Sequence, residues 1–180
     1  MAMLDLPIQI FTPRLILEKL RREEAEEIFF TYASKPEATK YMSWPTHQTL
    51  EDTNLFLRHA IDCWDTGKEY SYSIRLRGNA RLIGSFGVIN DNGILQFGYV
   101  FSPAQWNQGY ATEACKSMMD ILKTLPGITS IKTFADVDNT ASINVLLKSG
   151  LVEVARLSNW FRFVNQGNEL KDCIHFKLPL

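Results

Sequence analysis

Along this chain the spacing of apolar residues switches between the two-residue period of strands and the 3.6-residue period of helices, and the switches mark the elements. Residues Ile94 to Phe101 are apolar and aromatic enough for a buried strand, and Pro103, which cannot donate to a sheet ladder, ends it. From Gly109 onward Ala111, Ala114, Cys115, Met118, Met119 and Leu122 recur at helical spacing and predict a long helix with one apolar stripe. Tyr70 to Leu76, Arg81 to Asn90 and Ile94 to Phe101 read as three strands in series. Gly78-Asn79 and Asn90-Asp91-Asn92-Gly93 are the turns between them, so an antiparallel meander is expected. Gly84 and Gly87 thin the middle strand, which implies a bulge or another backbone lying close. After Leu125-Pro126-Gly127 breaks the long helix, Ile128 to Ala135 forms a further strand.

The N-terminal third is more broken. Ile8 to Leu20 predicts a short strand entered through Pro13, and Arg22 to Ser34 a helix with Ile28 and Phe29 facing inward. Glu23, Glu24, Glu26 and Glu27 crowd that helix start, where they suit the positive dipole end and read as a solvated face. A loop from Lys35 to Gln48 carries Tyr41, Met42, Trp44 and Pro45. Thr49 then caps a helix running to Asp65, with Asp52 completing a capping box and Leu50, Leu57, Ile61 and Trp64 on its apolar face. Gly67 stops it. At the other end, Val152 to Leu157 and Asp172 to Leu178 read as a closing antiparallel pair, with a hairpin excursion over Asn159 to Asn168 between them. Trp160 and Phe161 in that excursion fit a pocket wall or the core equally.

The central pattern has a chemical consequence. A strand, a crossover helix and a second strand make a parallel pair, Ile94–Phe101 beside Ile128–Ala135, with a right-handed connection. Ligands in such units sit beyond the carboxyl ends of the strands, at the helix N-terminus. There the free N–H groups and the dipole suit a phosphate or pyrophosphate, and Gly109 has no side chain to block it. An anion site at Gln108–Ala111 follows. Asn139 reads as the N-cap of a short helix that Gly150 closes as the C′ residue.

Composition narrows the function classes. The 180 residues are 46% hydrophobic and 22% charged with a net charge of −1, which is one domain's worth of an ordinary globular chain. That charge gives no reason to expect a nucleic-acid partner, and no window approaches membrane-spanning length. Cys63, Cys115 and Cys173 read as reduced core thiols, and His47, His59 and His175 show no metal spacing, so no metal is expected. Met1-Ala2-Met3-Leu4-Asp5 lacks the basic and apolar run of a secretory signal. A cytoplasmic protein is the expectation, and the sequence leaves its oligomeric state open.

The stretch Trp106-Asn107-Gln108-Gly109-Tyr110-Ala111 resembles the acetyl-CoA signature of the GNAT (GCN5-related) N-acetyltransferases: Arg or Gln, two residues, Gly, one residue, then Gly or Ala. Trp in the first slot and the run Gly109 to Ala114 (Gly-Tyr-Ala-Thr-Glu-Ala) resemble the branch of the ribosomal-protein N-terminal acetyltransferases. Thr12-Pro13-Arg14-Leu15-Ile16-Leu17 is also a common opening in that branch. Asn139, Ser142, Lys148 and Gly150 match the second family segment, with Leu151 in place of the usual Phe.

The resemblance covers nearly the whole chain and implies one N-acetyltransferase domain over residues 1–180, an α+β fold with a mixed, mostly antiparallel sheet, one parallel strand pair and flanking helices. It implies acetyl-CoA as cosubstrate, bound by Val100, Phe101, Trp106, Asn107, Gln108, Gly109, Tyr110, Ala111, Thr112 and Asn139. It also implies direct attack of a primary amine on the thioester. The carbonyl is polarised by a backbone N–H near Val100 or Phe101. A lysine amine (pKa about 10.4) needs a base more urgently than an α-amine (about 8). The family's glutamate slot holds Gln96 and its tyrosine slot Leu146. The ribosomal-type branch uses a serine at the position of Ser142, so the resemblance implies Ser142 as the remaining candidate for proton donor to the thiolate, alongside its plain reading as a capping hydroxyl. His47 is the histidine placed to be tested as a base, and Glu113 reads as a dipole-stabilising residue. Tyr41, Trp44 and Trp160 are the expected acceptor-binding residues. The acceptor is a protein N-terminus on branch resemblance, with a small amine (polyamine, amino acid or antibiotic) as runner-up. A non-catalytic acyl-CoA-binding module is the rival of another class.

Overall fold

The computed structural model describes residues 3–180; Met1 and Ala2, on which the reading of a leaderless N-terminus partly rests, lie outside the described residues. The strands are β1 (Gln9–Phe11), β2 (Leu15–Lys19), β3 (Glu69–Leu76), β4 (Leu82–Asp91), β5 (Ile94–Phe101), β6 (Ser130–Asp136), β7 (Val152–Arg162) and β8 (Leu170–Lys177). The α-helices are α1 (Ala25–Ile28), α2 (Pro36–Thr39), α3 (Leu50–Asp65), α4 (Tyr110–Leu122) and α5 (Thr140–Lys148). One sheet runs β1-β2-β3-β4-β5-β6-β8-β7, antiparallel throughout except at β5–β6. This is the mixed, mostly antiparallel α+β sheet that the resemblance implies, with the meander and the parallel pair that the residue pattern predicts. No helix among the described residues is long and apolar enough to cross a membrane.

Alternation along the central strands divides the core. Tyr72, Phe86 and Phe101 face α4, whose Ala114, Cys115, Met118, Met119 and Leu122 are all buried against them. Val100 faces the opposite side, where Ile28, Tyr32, Leu57 and Ala60 close a second cluster under α1 and α3. The glycine of the middle strand proves to be a close approach: a Cβ on Gly84 would lie 2.3 Å from the Val100 carbonyl oxygen. A bulge falls beside it, where the β3–β4 register shifts between Ile74 and Arg75.

The decisive feature is the parallel pair. Its register covers only Ile94–Gln96 against Ser130–Lys132; beyond that β5 and β6 part, and the Thr133 hydroxyl donates to the Phe97 carbonyl (2.7 Å) where a strand amide would otherwise serve.

Five expectations are corrected. The first strand is a two-stranded hairpin, because Thr12–Arg14 turn the chain and Thr12 N–H bonds back to the Leu15 carbonyl. The Arg22–Ser34 helix changes pitch twice, from 3-10 through α1 to a π segment at Phe29–Ala33. Its acidic run is not all solvated: Glu24 is 3% exposed and, with Glu27, ion-pairs Arg75 of β3 at 2.7 Å. Leu50, the first residue of α3, is exposed, while the Thr49–Asp52 capping box is present as expected. Finally, β7 continues through most of the supposed hairpin excursion, skipping register between Leu157 and Phe161 around the left-handed Asn159.

Candidate active site at the parted strands

Where β5 and β6 separate, a cleft of about 230 Å3 passes through the sheet. On the α4–α5 side Tyr99, Ala135, Asn139, Ser142 and Leu146 line it, and on the other side Gln96, Gly98, Val100, Phe134 and Asp136 do. Ser102 N–H bonds to Ile83 on β4, so alternation also turns the Val100 amide toward β4. The amides of Tyr99 and Phe101 then face the gap, where β6 no longer pairs with them. Of the two amides expected to polarise a carbonyl, alternation selects Phe101 and adds Tyr99.

The loop from β5 to α4 follows directly on the end of β5 at this gap, although none of its residues is among those lining the cleft. Asn107 (φ 61°) and Gly109 (φ 80°) both take left-handed conformations, which curl the chain and bring Gln108 outward between them. Trp106 braces the loop by donating its indole N–H to the Phe101 carbonyl (3.0 Å). Helix geometry leaves the amides of Tyr110, Ala111 and Thr112 without intrahelical acceptors; the first such bond is Glu113 to Gly109. A Cβ on Gly109 would meet only the Arg14 guanidinium, at 3.5 Å, so the space above the loop is open. These amides, the dipole and the adjacent Arg14 fit the pyrophosphate of a coenzyme.

Arg14 was not legible as a site residue. Its guanidinium donates to the Gln108 carbonyl (3.0 Å) and lies 4.5 Å over the Tyr110 ring. Glu113 holds it through a 2.6 Å ion pair and also accepts from the Thr12 hydroxyl (2.6 Å) and the Arg14 amide (2.8 Å). Partial burial works against the Glu113 charge, but these donors outweigh it and keep its pKa below the usual range. Glu113 thus pins the N-terminal hairpin to α4.

In the opposite wall Asn139 caps α5, accepting from the Ser142 amide at 3.2 Å, as its sequence position predicts. The Ser142 hydroxyl is separately hydrogen-bonded to the Tyr99 hydroxyl at 2.8 Å. Burial, which outweighs that bond, pushes the Tyr99 phenol up and keeps it protonated at neutral pH. Leu146 and Gln96, in the slots where the resemblance implies a tyrosine and a glutamate, both line the cleft.

The acceptor-side residues divide. Tyr41 and Trp44 line the cleft with Phe56, Phe134 and Phe163. Trp160 stands one ring behind, packed on Phe134 (4.8 Å between centroids) and His175 (4.1 Å), outside the lining. His47 also lies behind the wall, against Trp44, with Nδ1 bonded to the Thr53 hydroxyl (2.8 Å); burial lowers its pKa. Asn165, in the β7–β8 turn, holds the Tyr41–Gln48 loop by donating to the Thr39 and Trp44 carbonyls (2.7 and 2.9 Å) and accepting from the Thr46 amide. Nothing in its Asn-Gln-Gly setting signals more than a turn. Cys115 and Cys173 are core thiols pushed up to about 11 by burial, whereas Cys63 is half-buried beside His59 and Glu69. The ligand atoms of these three lie within 4.8 Å of one another, a grouping that His and Cys spacing did not reveal.

Residues 14–152 match the family described as "Acetyltransferase (GNAT) domain". This chain belongs to that family and is an acetyl-CoA-dependent N-acetyltransferase. It is 28% identical over 140 residues to an uncharacterized N-acetyltransferase, p20, of Bacillus licheniformis, covering 76% of this chain and 78% of the relative. Its fold is similar to microcin C7 self-immunity acetyltransferase MccE, solved with acetyl-CoA and AMP (TM-score 0.86, 18% identity, 97% of this chain and 98% of the other). It is likewise similar to RimL, a ribosomal L7/L12 alpha-N-protein acetyltransferase (TM-score 0.83, 15% identity, 99% and 96%).

Proposed function

We propose that the acetyl group passes to a primary amine by direct attack inside the cleft where β5 and β6 part. The observation that carries this reading is the Tyr99–Ser142 hydroxyl pair, set into the cleft wall beside two strand amides that have no ladder partner. The Tyr99 and Phe101 amides hold the carbonyl oxygen as it gains charge. A neutral amine entering from the aromatic side forms the new C–N bond as the C–S bond breaks. Ser142 gives its proton to the departing thiolate, and its oxygen accepts from Tyr99, which aims the Ser142 proton into the cleft. Gln96 cannot take the amine's surplus proton, so it passes to water in the cleft, and water returns a proton to Ser142 to restore the hydroxyl pair.

Two acceptors have support. The likeness to RimL favours a protein N-terminus, whose α-amine is partly neutral at pH 7. The cleft itself favours a small cationic amine, because Glu69 and Asp136 line it and no Lys, Arg or His among the described residues does. The test is release of free CoA thiol from acetyl-CoA with peptides of varied N-terminus and with small amines. Turnover with neither, in protein that binds acetyl-CoA, refutes the transfer reading and leaves a binding module.

A further inference from the structure

The geometry points to Glu69 as a cation anchor that selects acceptors carrying a second positive charge about 10 Å from the reacting amine. This rests on the proposed transfer reaction. On the acceptor face of the sheet, Ser71, Gly87 and Gly98 lie in one cross-strand row, since Ser71 pairs with Gly87 and Gly87 with Gly98. Two adjacent glycines leave that row without side chains on β4 and β5. A Cβ on Gly98 would meet nothing within 4 Å, and one on Gly87 would meet only the Ser71 hydroxyl (3.5 Å) and Glu69 Oε1 (3.7 Å). The result is a trough running across the sheet from the parted strands to the Glu69 carboxylate. It spans two strand spacings, about 10 Å.

Its chemistry is one-sided. Trp44 and Phe56, stacked at 6.4 Å, line the same cleft with Tyr41, an aromatic wall compatible with a cation. Of the two lining carboxylates, Asp136 is already engaged by the Asp138 amide (2.9 Å) and the Gln166 side chain (3.1 Å). Glu69 accepts only from Ser71 (2.9 Å, at Oε1) and has no ion-pair partner among the described residues. The nearest basic residues in sequence or register, Lys68 and Lys132, do not line the cleft. A carboxylate without a cation at the end of an open trough favours an ammonium ligand. It opposes a free amino acid, whose own carboxylate would find no partner.

The test uses a linear seven-carbon α,ω-diamine and heptylamine, its monoamine of equal length, with wild type, Glu69→Gln and Gly98→Val. Binding to the CoA-loaded protein is read by calorimetry and transfer by thiol release. Wild type should favour the diamine at least tenfold in kcat/KM, and Glu69→Gln should bring that ratio near one by raising KM roughly tenfold. Gly98→Val, with open space around its Cβ, should weaken diamine binding while acetyl-CoA still raises the melting temperature. Equal handling of the two amines by wild type, or an unchanged preference in Glu69→Gln, overturns the proposal. So does zinc stabilisation that needs Glu69 in a protein indifferent to diamines, because Glu69 would then serve a metal with His59 and Cys63. Diamine binding that depends on Glu69 without any transfer would refute the reaction and leave the anchor standing.

Discussion

Removing the Ser142 hydroxyl separates catalysis from capping. Ser142→Ala keeps the backbone amide that Asn139 caps at 3.2 Å, so α5 loses no cap. It deletes the hydroxyl proposed as proton donor and leaves the half-buried Tyr99 hydroxyl without its 2.8 Å partner. The unpaired phenol costs about 1–3 kcal/mol of stability, or roughly 2–12 °C in melting temperature for a domain of this size. Loss of a positioned proton donor lowers kcat by about 10²–10⁴-fold, with the KM for acetyl-CoA little changed. Tyr99→Phe removes the other end of the bond and should lower kcat by a smaller factor. Because the two hydroxyls act as one unit, the double variant should be about as slow as Ser142→Ala alone. The assay is thiol release under saturating amine. A Ser142→Ala enzyme within twofold of wild type would reduce Ser142 to a helix-start hydroxyl and refute the relay.

Gly109→Asp places a carboxylate where a pyrophosphate should lie, in a left-handed position that Asp tolerates and beside Arg14; it should abolish acetyl-CoA binding by calorimetry with only a small loss of stability. Arg75→Met leaves the buried Glu24 with only the Arg21 guanidinium at 3.8 Å and should destabilise by about 3 kcal/mol in urea titration, a change that an intact midpoint would contradict. Glu113 has a folded pKa depressed below its ordinary 4.5, so its stabilisation is full above that value and is lost as pH falls through the folded pKa. Glu113→Gln should therefore flatten the fall in melting temperature below pH 4.5, and an unchanged acid profile would show that the Thr12–Arg14 clamp contributes nothing.

What could be read from sequence divides along the range of the interactions. The meander, the α4 stripe, the Thr49–Asp52 box and the Asn139 and Gly150 caps are set by neighbours a few residues apart, and each stands where the pattern puts it. The parallel pair followed from connectivity, and with it the place of the cleft. The parting of β5 and β6 after Gln96 did not, because it depends on a contact between Thr133 and Phe97 across 36 residues. Glu24 was misread as solvated since its partner Arg75 lies 51 residues on. Tyr99 passed as another strand aromatic; only the fold brings it to Ser142, 43 residues away. Arg14, Asn165 and Glu69 share that character, ordinary in their local setting and defined by what the fold brings beside them.

The central claim is that the β5–α4 loop and the parted strands hold acetyl-CoA, and thermal melting with acetyl-CoA, CoA or ATP added separately tests it most directly. Ligand at about 100 times its dissociation constant adds about 2.7 kcal/mol, a rise of roughly 5–10 °C for a domain of this size. The account predicts that rise with both CoA species and none with ATP. No rise with either CoA species, or an equal rise with ATP, would contradict it.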